Sequence, residues 1–335
     1  MSELQAPPRP RAPILVRLLL RREASLACLL GLVIAVVTVA NPAFLSLRNI
    51  RDLLVNAAPV LIVACGVSLV VLTGEIDISV GSLLGLLGAL LGILASTSHL
   101  GWPVPLAVLA VLGAGAAVGC LNGLLVAVAG VPSIIVTLGM LTVLRAATEW
   151  LMGGEWVADL PSGLRFLGTG AVAGVPVCVW CAAGVTAAAV VLTRFTPIGR
   201  RIYAVGSNAR AAQLHGISVV KVKLLVFVLT GLLTGLAAAV SVPQQAVVES
   251  GIGRGFELLV VTCVVVGGVS IRGGIGTILG TVLGTFLLTI IRTVLVFLPL
   301  EQTATYWERA IQGALILAAV VADHLAGKSR RVREL

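Results

Sequence analysis

Two carboxylates, Glu75 and Asp77, stand inside an otherwise apolar stretch, Leu72-Thr-Gly-Glu-Ile-Asp-Ile-Ser-Val-Gly-Ser82. An ionised carboxylate at hydrocarbon depth costs roughly 2.5 to 3.5 kcal/mol on insertion scales, so such a group is paired, lies in a cavity or sits at an interface. Two compatible readings follow. In one, Thr73, Asp77 and Ser79 line or brace a path for a polar solute. In the other, Asp77 or Ser79 is an N-cap that accepts the free N–H groups of a helix starting near Val80.

Further polar groups fall inside apolar runs: Asn122 in Cys-Leu-Asn-Gly-Leu-Leu and Thr137 in Ile-Val-Thr-Leu-Gly-Met. Within a bundle such side chains bond backbone or a neighbouring helix. Arg145 and Glu149, four residues apart, would face each other on one helical turn, which favours mutual neutralisation over contact with solute. Trp156, Asn122 and Gln244 are the remaining side chains suited to a polyol.

No enzyme is legible. His99, His215 and His324 lie far apart, with no Cys or carboxylate at ligand spacing, so neither a metal site nor a catalytic cluster is expected. The Cys178–Cys181 pair has no second pair and no nearby His, and reads as packing. Gly327-Lys328-Ser329 mimics the end of a phosphate loop, but Ala322 stands where the first glycine belongs. No cofactor is implied, and the chain shows no energy source of its own, neither a nucleotide site nor a relay of intramembrane acids and histidines. The readings are a permease driven by another chain or an ATPase-independent secondary transporter or facilitator. The net charge of +9 does not signal nucleic acid, because the basic residues lie at segment ends without interleaved aromatics.

The elements that hold these residues follow from composition. Of 335 residues, 59% are hydrophobic and 11% charged, more apolar surface than one soluble core of this length can hide. The fold class is therefore all-α: a polytopic membrane protein of about ten transmembrane helices, with broken helices near the centre. Candidate spans lie near 24–40, 53–73, 80–96, 104–128, 132–151, 171–192, 223–243, 257–270, 275–297 and 306–325. Residues 1–23 form a cytoplasmic N-terminal tail, 24–325 the transmembrane domain and 326–335 a cytoplasmic C-terminal tail. With both termini and the 193–223 loop inside, sixteen of the 23 Lys and Arg residues lie on the cytoplasmic side. The polar break at 74–79 and the short 257–270 run are the uncertain crossings. Gly81-Ser-Leu-Leu-Gly85-Leu-Leu-Gly88 is echoed by Gly276-Thr-Ile-Leu-Gly280-Thr-Val-Leu-Gly284, which fits either an internal repeat or close helix packing.

The central loop, 193–223, is a basic island between apolar runs. Asn208-Ala-Arg-Ala-Ala-Gln-Leu-His215 reads as a short helix capped by Ser207 or Asn208 and stopped by Gly216. Ala209, Ala211 and Ala212 would give it a slim face able to enter a groove on another protein.

At this point the chain resembles a known family, the permease subunits of bacterial ABC importers for sugars: the ribose, xylose, rhamnose and autoinducer-2 group. The likeness runs from about 62 to 323. It rests on LTGEIDISVGS (72–82), NGLLVAVAGVPSIIVTLGMLTVLRA (122–146), FTPIGRRIYAVGSNARAAQLHGI (195–217) and GFELLVVTCVVVGGVSIRGGIGTILGTVLG (255–284). GGEWVADLP (153–161) looks most like the rhamnose and autoinducer-2 branches. The resemblance implies an inner-membrane permease that pairs with a second permease, identical or paralogous. It also implies docking of two ABC ATPase domains and receipt of solute from an extracytoplasmic binding protein. It makes 193–223 the coupling segment, with Gly199, Arg200, Ala204, Gly206, Asn208, Ala211, Ala212 and Gly216 matching the family pattern. The chain departs from that pattern at Glu75 and Ala146, where the family usually has Gly.

Overall fold

A computed structural model describes residues 22–297, 306–308, 310–318 and 321. Residues 1–21 of the expected 1–23 tail, the expected tail at 326–335, and residues 309, 319, 320 and 322–325 of the last expected span lie outside the described residues.

The chain is almost entirely helical. In order come α1 (Arg22–Ala40), α2 (Leu47–Leu72), α3 (Val80–Ala95), α4 (Val104–Ala127), α5 (Ser133–Met152), α6 (Ser162–Thr169) and a small hairpin, β1 (Ala171–Val172) and β2 (Val175–Pro176). Then follow α7 (Val177–Phe195), α8 (Pro197–Ser207), α9 (Ala209–Leu214), α10 (Val219–Ser241), α11 (Phe256–Val266) and α12 (Ile278–Phe297). Among the described residues, seven helices are long and apolar enough to cross a membrane, and α3 and α11 are shorter apolar helices. The chain is helical again over the described residues of 306–321. This agrees with about ten crossings.

The expected span at 171–192 starts six residues late, at Val177. Ala173 and Gly174 take positive φ (52° and 79°) and turn the hairpin, and Pro176 forms the boundary. Only 257–266, ten residues of the 257–270 run, are helical, as part of the 11-residue α11. At 1.5 Å per residue α11 is about 16 Å long, half of a hydrocarbon layer.

α2 is the centre of the bundle: 83% of its most apolar stretch is buried, against 6% for α1. The closest helix pair is α4 with α10, where Gly115, Gly119, Gly231 and Gly235 put backbone against backbone. In lipid, small residues permit the dispersion contacts that drive helix association. The echoed glycine runs flank α11 from two sides. Gly81 and Gly85 of α3 touch 252–257, while Gly280 and Gly284 of α12 touch Cys263 and Gly267. Both runs pack closely on α11 or the segment leading into it, as the close-packing reading expects.

One end of the bundle carries α8, α9, the 73–79 break and the 267–277 loop. The opposite end carries Trp102, Trp150, Trp156 and Trp180, all exposed. Tryptophan gathered at one end is the pattern of an interfacial belt.

Candidate functional site

The coupling segment forms two short helices. Thr196 caps α8, its Oγ1 accepting from Gly199 N at 3.2 Å, and Pro197 occupies the first turn. Ile202, Val205 and Gly199 are buried while Arg200 and Arg201 are exposed, so α8 lies with one face on the bundle. Asn208 closes α8 with its backbone, its N donating to Ala204 O at 3.1 Å. Its side chain caps α9, Oδ1 accepting from Ala211 N at 3.0 Å. Gly216 closes α9 at φ 79°, a left-handed position that favours glycine. The cap and stop expected of this segment are both present.

The expected slim alanine face is not presented outward as a unit. Ala212 is 5% exposed and faces the bundle; Ala211 is exposed. Arg210, Gln213 and Leu214 make up the rest of the outer surface, with Leu214 82% exposed. The sequence reading missed Leu214 because it followed residue size rather than the position of the helix on the bundle.

α8 is seated through Gly206. A Cβ there would collide with Leu72 O and stand 2.5 Å from Gly274 N. Those two atoms are themselves joined, Gly274 N donating to Leu72 O at 2.9 Å. One turn back, Tyr203 Oη donates to Gly276 O at 2.8 Å. Burial pushes the Tyr203 phenol pKa up, with Arg194 pulling the other way, so it keeps its proton and its donor role. α8 therefore touches the end of α2 and the 270–277 loop together.

The polar break begins where α2 ends. Gly74 turns at φ 83°, and Glu75 forms an ion pair with Lys223 of α10, with side chains 15% and 19% exposed. Ile76 is held at both backbone atoms: its N donates to Ser133 Oγ at 3.1 Å, and its O accepts from Thr137 Oγ1 at 3.3 Å. Asp77 Oδ1 accepts from Ser79 N (2.9 Å) and Ser79 Oγ (2.6 Å). Ser79 Oγ in turn accepts from Asn122 Nδ2 at 3.0 Å. Asp77, Ser79, Asn122 and Thr137 are all buried, and Asn122 Oδ1 has no hydrogen-bond partner.

This corrects the capping expectation. Ser79 sits at the N-cap position of α3 without a side-chain cap bond, and Asp77 folds over Ser79 instead of the first turn of α3. An Asx turn satisfies the carboxylate locally, and the cross-link to α4 through Asn122 holds it in place.

Arg145 and Glu149 do not pair with each other. Glu149 Oε1 accepts from Arg254 Nη2 at 2.9 Å, and Arg145 Nη1 donates to Ile252 O at 2.8 Å. The three suggested polyol contacts are not brought together: Trp156 is exposed near the opposite end, Gln244 Nε2 donates to Val240 O, and Asn122 is buried by the break. Lys223, Gly273, Gly274 and Glu257 were not singled out as site residues. Glu257 alone had a local signal, an acid opening an apolar run. Among the described residues no group of His, Cys, Asp and Glu could hold a metal ion.

The chain matches the family described as "Branched-chain amino acid transport system / permease component" over residues 49–320. It is 35% identical over 318 residues to the ribose import permease protein RbsC of Haemophilus influenzae, covering 94% of this chain and 96% of that protein. It is 36% identical over 307 residues to the autoinducer 2 import system permease protein LsrC of Enterobacter sp. strain 638, covering 91% and 88%. Against the ribose import permease protein RbsC of Escherichia coli K12 it is 36% identical over 312 residues, covering 91% and 94%. No solved structure matches the chain significantly. Apolar helices, a seated basic segment and this coverage converge: the chain belongs to the permease-component family, as a multi-pass inner-membrane subunit of an importer that works with separate ATPase and solute-binding proteins and is not itself an enzyme.

Proposed function

We propose that this chain translocates a sugar or sugar-like solute into the cytoplasm, driven by two ABC ATPase domains that dock on α8 and α9. The relatives named for ribose and autoinducer 2 support the solute class. Within it, the solute is a pentose, a deoxyhexose such as rhamnose, or autoinducer 2; the 153–161 stretch is most like the rhamnose and autoinducer-2 branches. In this reading both termini and the 193–223 segment face the cytoplasm, and the permease pairs with a second copy or a paralogue side by side in the bilayer.

The seat of Gly206 on Leu72 and Gly274 carries the proposal. A push on the exposed Arg200, Arg210, Ala211 and Leu214 surface reaches α2 and the polar break through backbone contacts that have no slack. Packed interfaces of this kind switch between discrete arrangements rather than deform continuously. Gly199, Ala204, Asn208, Ala212 and Gly216 shape and brace the pushed element. Asp77, Ser79, Asn122 and Thr137 hold the break that must rearrange.

The test is uptake of radiolabelled ribose by proteoliposomes holding the permease, its partner ATPase and its binding protein. ATP-dependent accumulation is expected. Accumulation driven by a proton gradient without ATP would replace this reading with a secondary transporter. A thermal-shift screen of the binding protein against pentoses, deoxyhexoses and autoinducer 2 then fixes the solute.

A further inference from the structure

Two opposite charges lie over successive glycines on one face of α3. Gly81 and Gly85 are one turn apart, about 6 Å along the axis. The Glu257 carboxylate occupies the place that a Cβ of Gly81 would take, and Arg145 Nη1 lies 3.2 Å from where a Cβ of Gly85 would stand. Both glycines are needed for these groups to reach α3.

The pair is not closed. Among the described residues the ion pairs are Lys223–Glu75 and Arg254–Glu149, so Arg145 and Glu257 stand beyond salt-bridge distance. Glu257 Oε2 is buried and accepts no hydrogen bond. A buried carboxylate oxygen left without a donor costs stability that a closed pair would recover. Structural neutralisation alone does not explain leaving it open.

Depth and exposure add a second observation. Arg145 stands about 18 Å from the start of α5 and about 10 Å from its end, inside a hydrocarbon layer of about 30 Å. On the same face of α5, Thr142 is exposed one turn below, and Glu149 one turn above pairs with Arg254. The side chains of Arg254 and Glu149 are 62% and 51% exposed. Charges left this open within a membrane bundle face water or protein rather than lipid.

We propose that the Thr142–Arg145–Glu149 stripe of α5, with residues 249–257, forms a wall of the solute path, and that Arg145 and Glu257 are its solute-binding pair. The guanidinium retains N–H donors beyond the one given to Ile252, and Glu257 Oε1, the carboxylate oxygen not sealed against α3, is an acceptor. Together they take two adjacent hydroxyls of a neutral polyhydroxylated solute. The inference rests on the carbohydrate reading above.

The test uses the whole importer in proteoliposomes, with radiolabelled ribose as probe. Glu257→Gln and Arg145→Lys are each expected to lower ribose taken up per ATP hydrolysed about tenfold or more. An unchanged ratio in both variants overturns the pair. Because either change could impair assembly, a Thr142→Cys variant in a Cys28→Ser background is labelled with a membrane-impermeant thiol reagent. Labelling above the parent is expected of a wet wall, and none would place this face in lipid and overturn the path. If the unsubstituted importer accumulates no ribose with ATP, the carbohydrate reading fails, while labelling still decides whether this face lines a path.

Discussion

Gly206 of α8 rests directly on the carbonyl of Leu72, the last residue of α2, and the same carbonyl accepts a hydrogen bond from Gly274 N at 2.9 Å. Three separate segments meet at one oxygen. The central helix of the bundle, the loop before α12 and the surface helix cannot move independently there.

Gly206→Leu is expected to unseat α8, because the first added carbon already meets backbone, which no rotamer change relieves. Overpacking of this kind costs about 1–3 kcal/mol. The protein should still insert and purify, with a lowered melting temperature and little ribose taken up per ATP. Normal coupling in this variant would remove α8 from the transmission route.

The Glu75–Lys223 pair ties the polar break to the start of α10, with less than a fifth of each side chain exposed. Removing one partner of a buried pair costs about 3–5 kcal/mol, and the residual exposure here favours the lower figure. Lys223→Met should therefore destabilise the protein, and Glu75→Lys combined with Lys223→Glu should recover part of the loss. Thermal unfolding of Glu75→Lys, Lys223→Glu and the swap, read as a double-mutant cycle, measures the coupling.

Asp77→Asn keeps an oxygen for both bonds from Ser79, whereas Asp77→Ala leaves a buried N–H and hydroxyl without their acceptor. The alanine variant should lose about 1–3 kcal/mol and accumulate poorly. The asparagine variant should accumulate normally and show reduced uptake. Equal accumulation of the two would show that the Asx turn is not needed for the fold.

Leu214 is 82% exposed at the end of α9, beside exposed Arg210 and Ala211. Leu214→Asp should leave the melting temperature of the isolated permease unchanged, since surface substitutions usually shift stability by less than about 0.5 kcal/mol. It should reduce copurification of the partner ATPase. Undiminished copurification would place the docking surface elsewhere.

Much of the architecture was readable from local pattern. Hydropathy alone located the long helices, with ends off by as many as six residues, because each must satisfy its own backbone in lipid and be apolar around most of its surface. The cap at Asn208 and the stop at Gly216 were readable for the same reason: both act through bonds a few residues away.

What the tertiary structure decided is who meets whom. Glu149 chose Arg254 over Arg145, Ala212 turned inward, and Ser79 was tied to α4 through Asn122. Glu257 came to lie over Gly81, 176 positions earlier in the chain. Spacing along a helix says which side chains share a face, but not which neighbouring element covers that face. That depends on how closely backbones approach, and here glycines on α3, α8 and α12 set the approach.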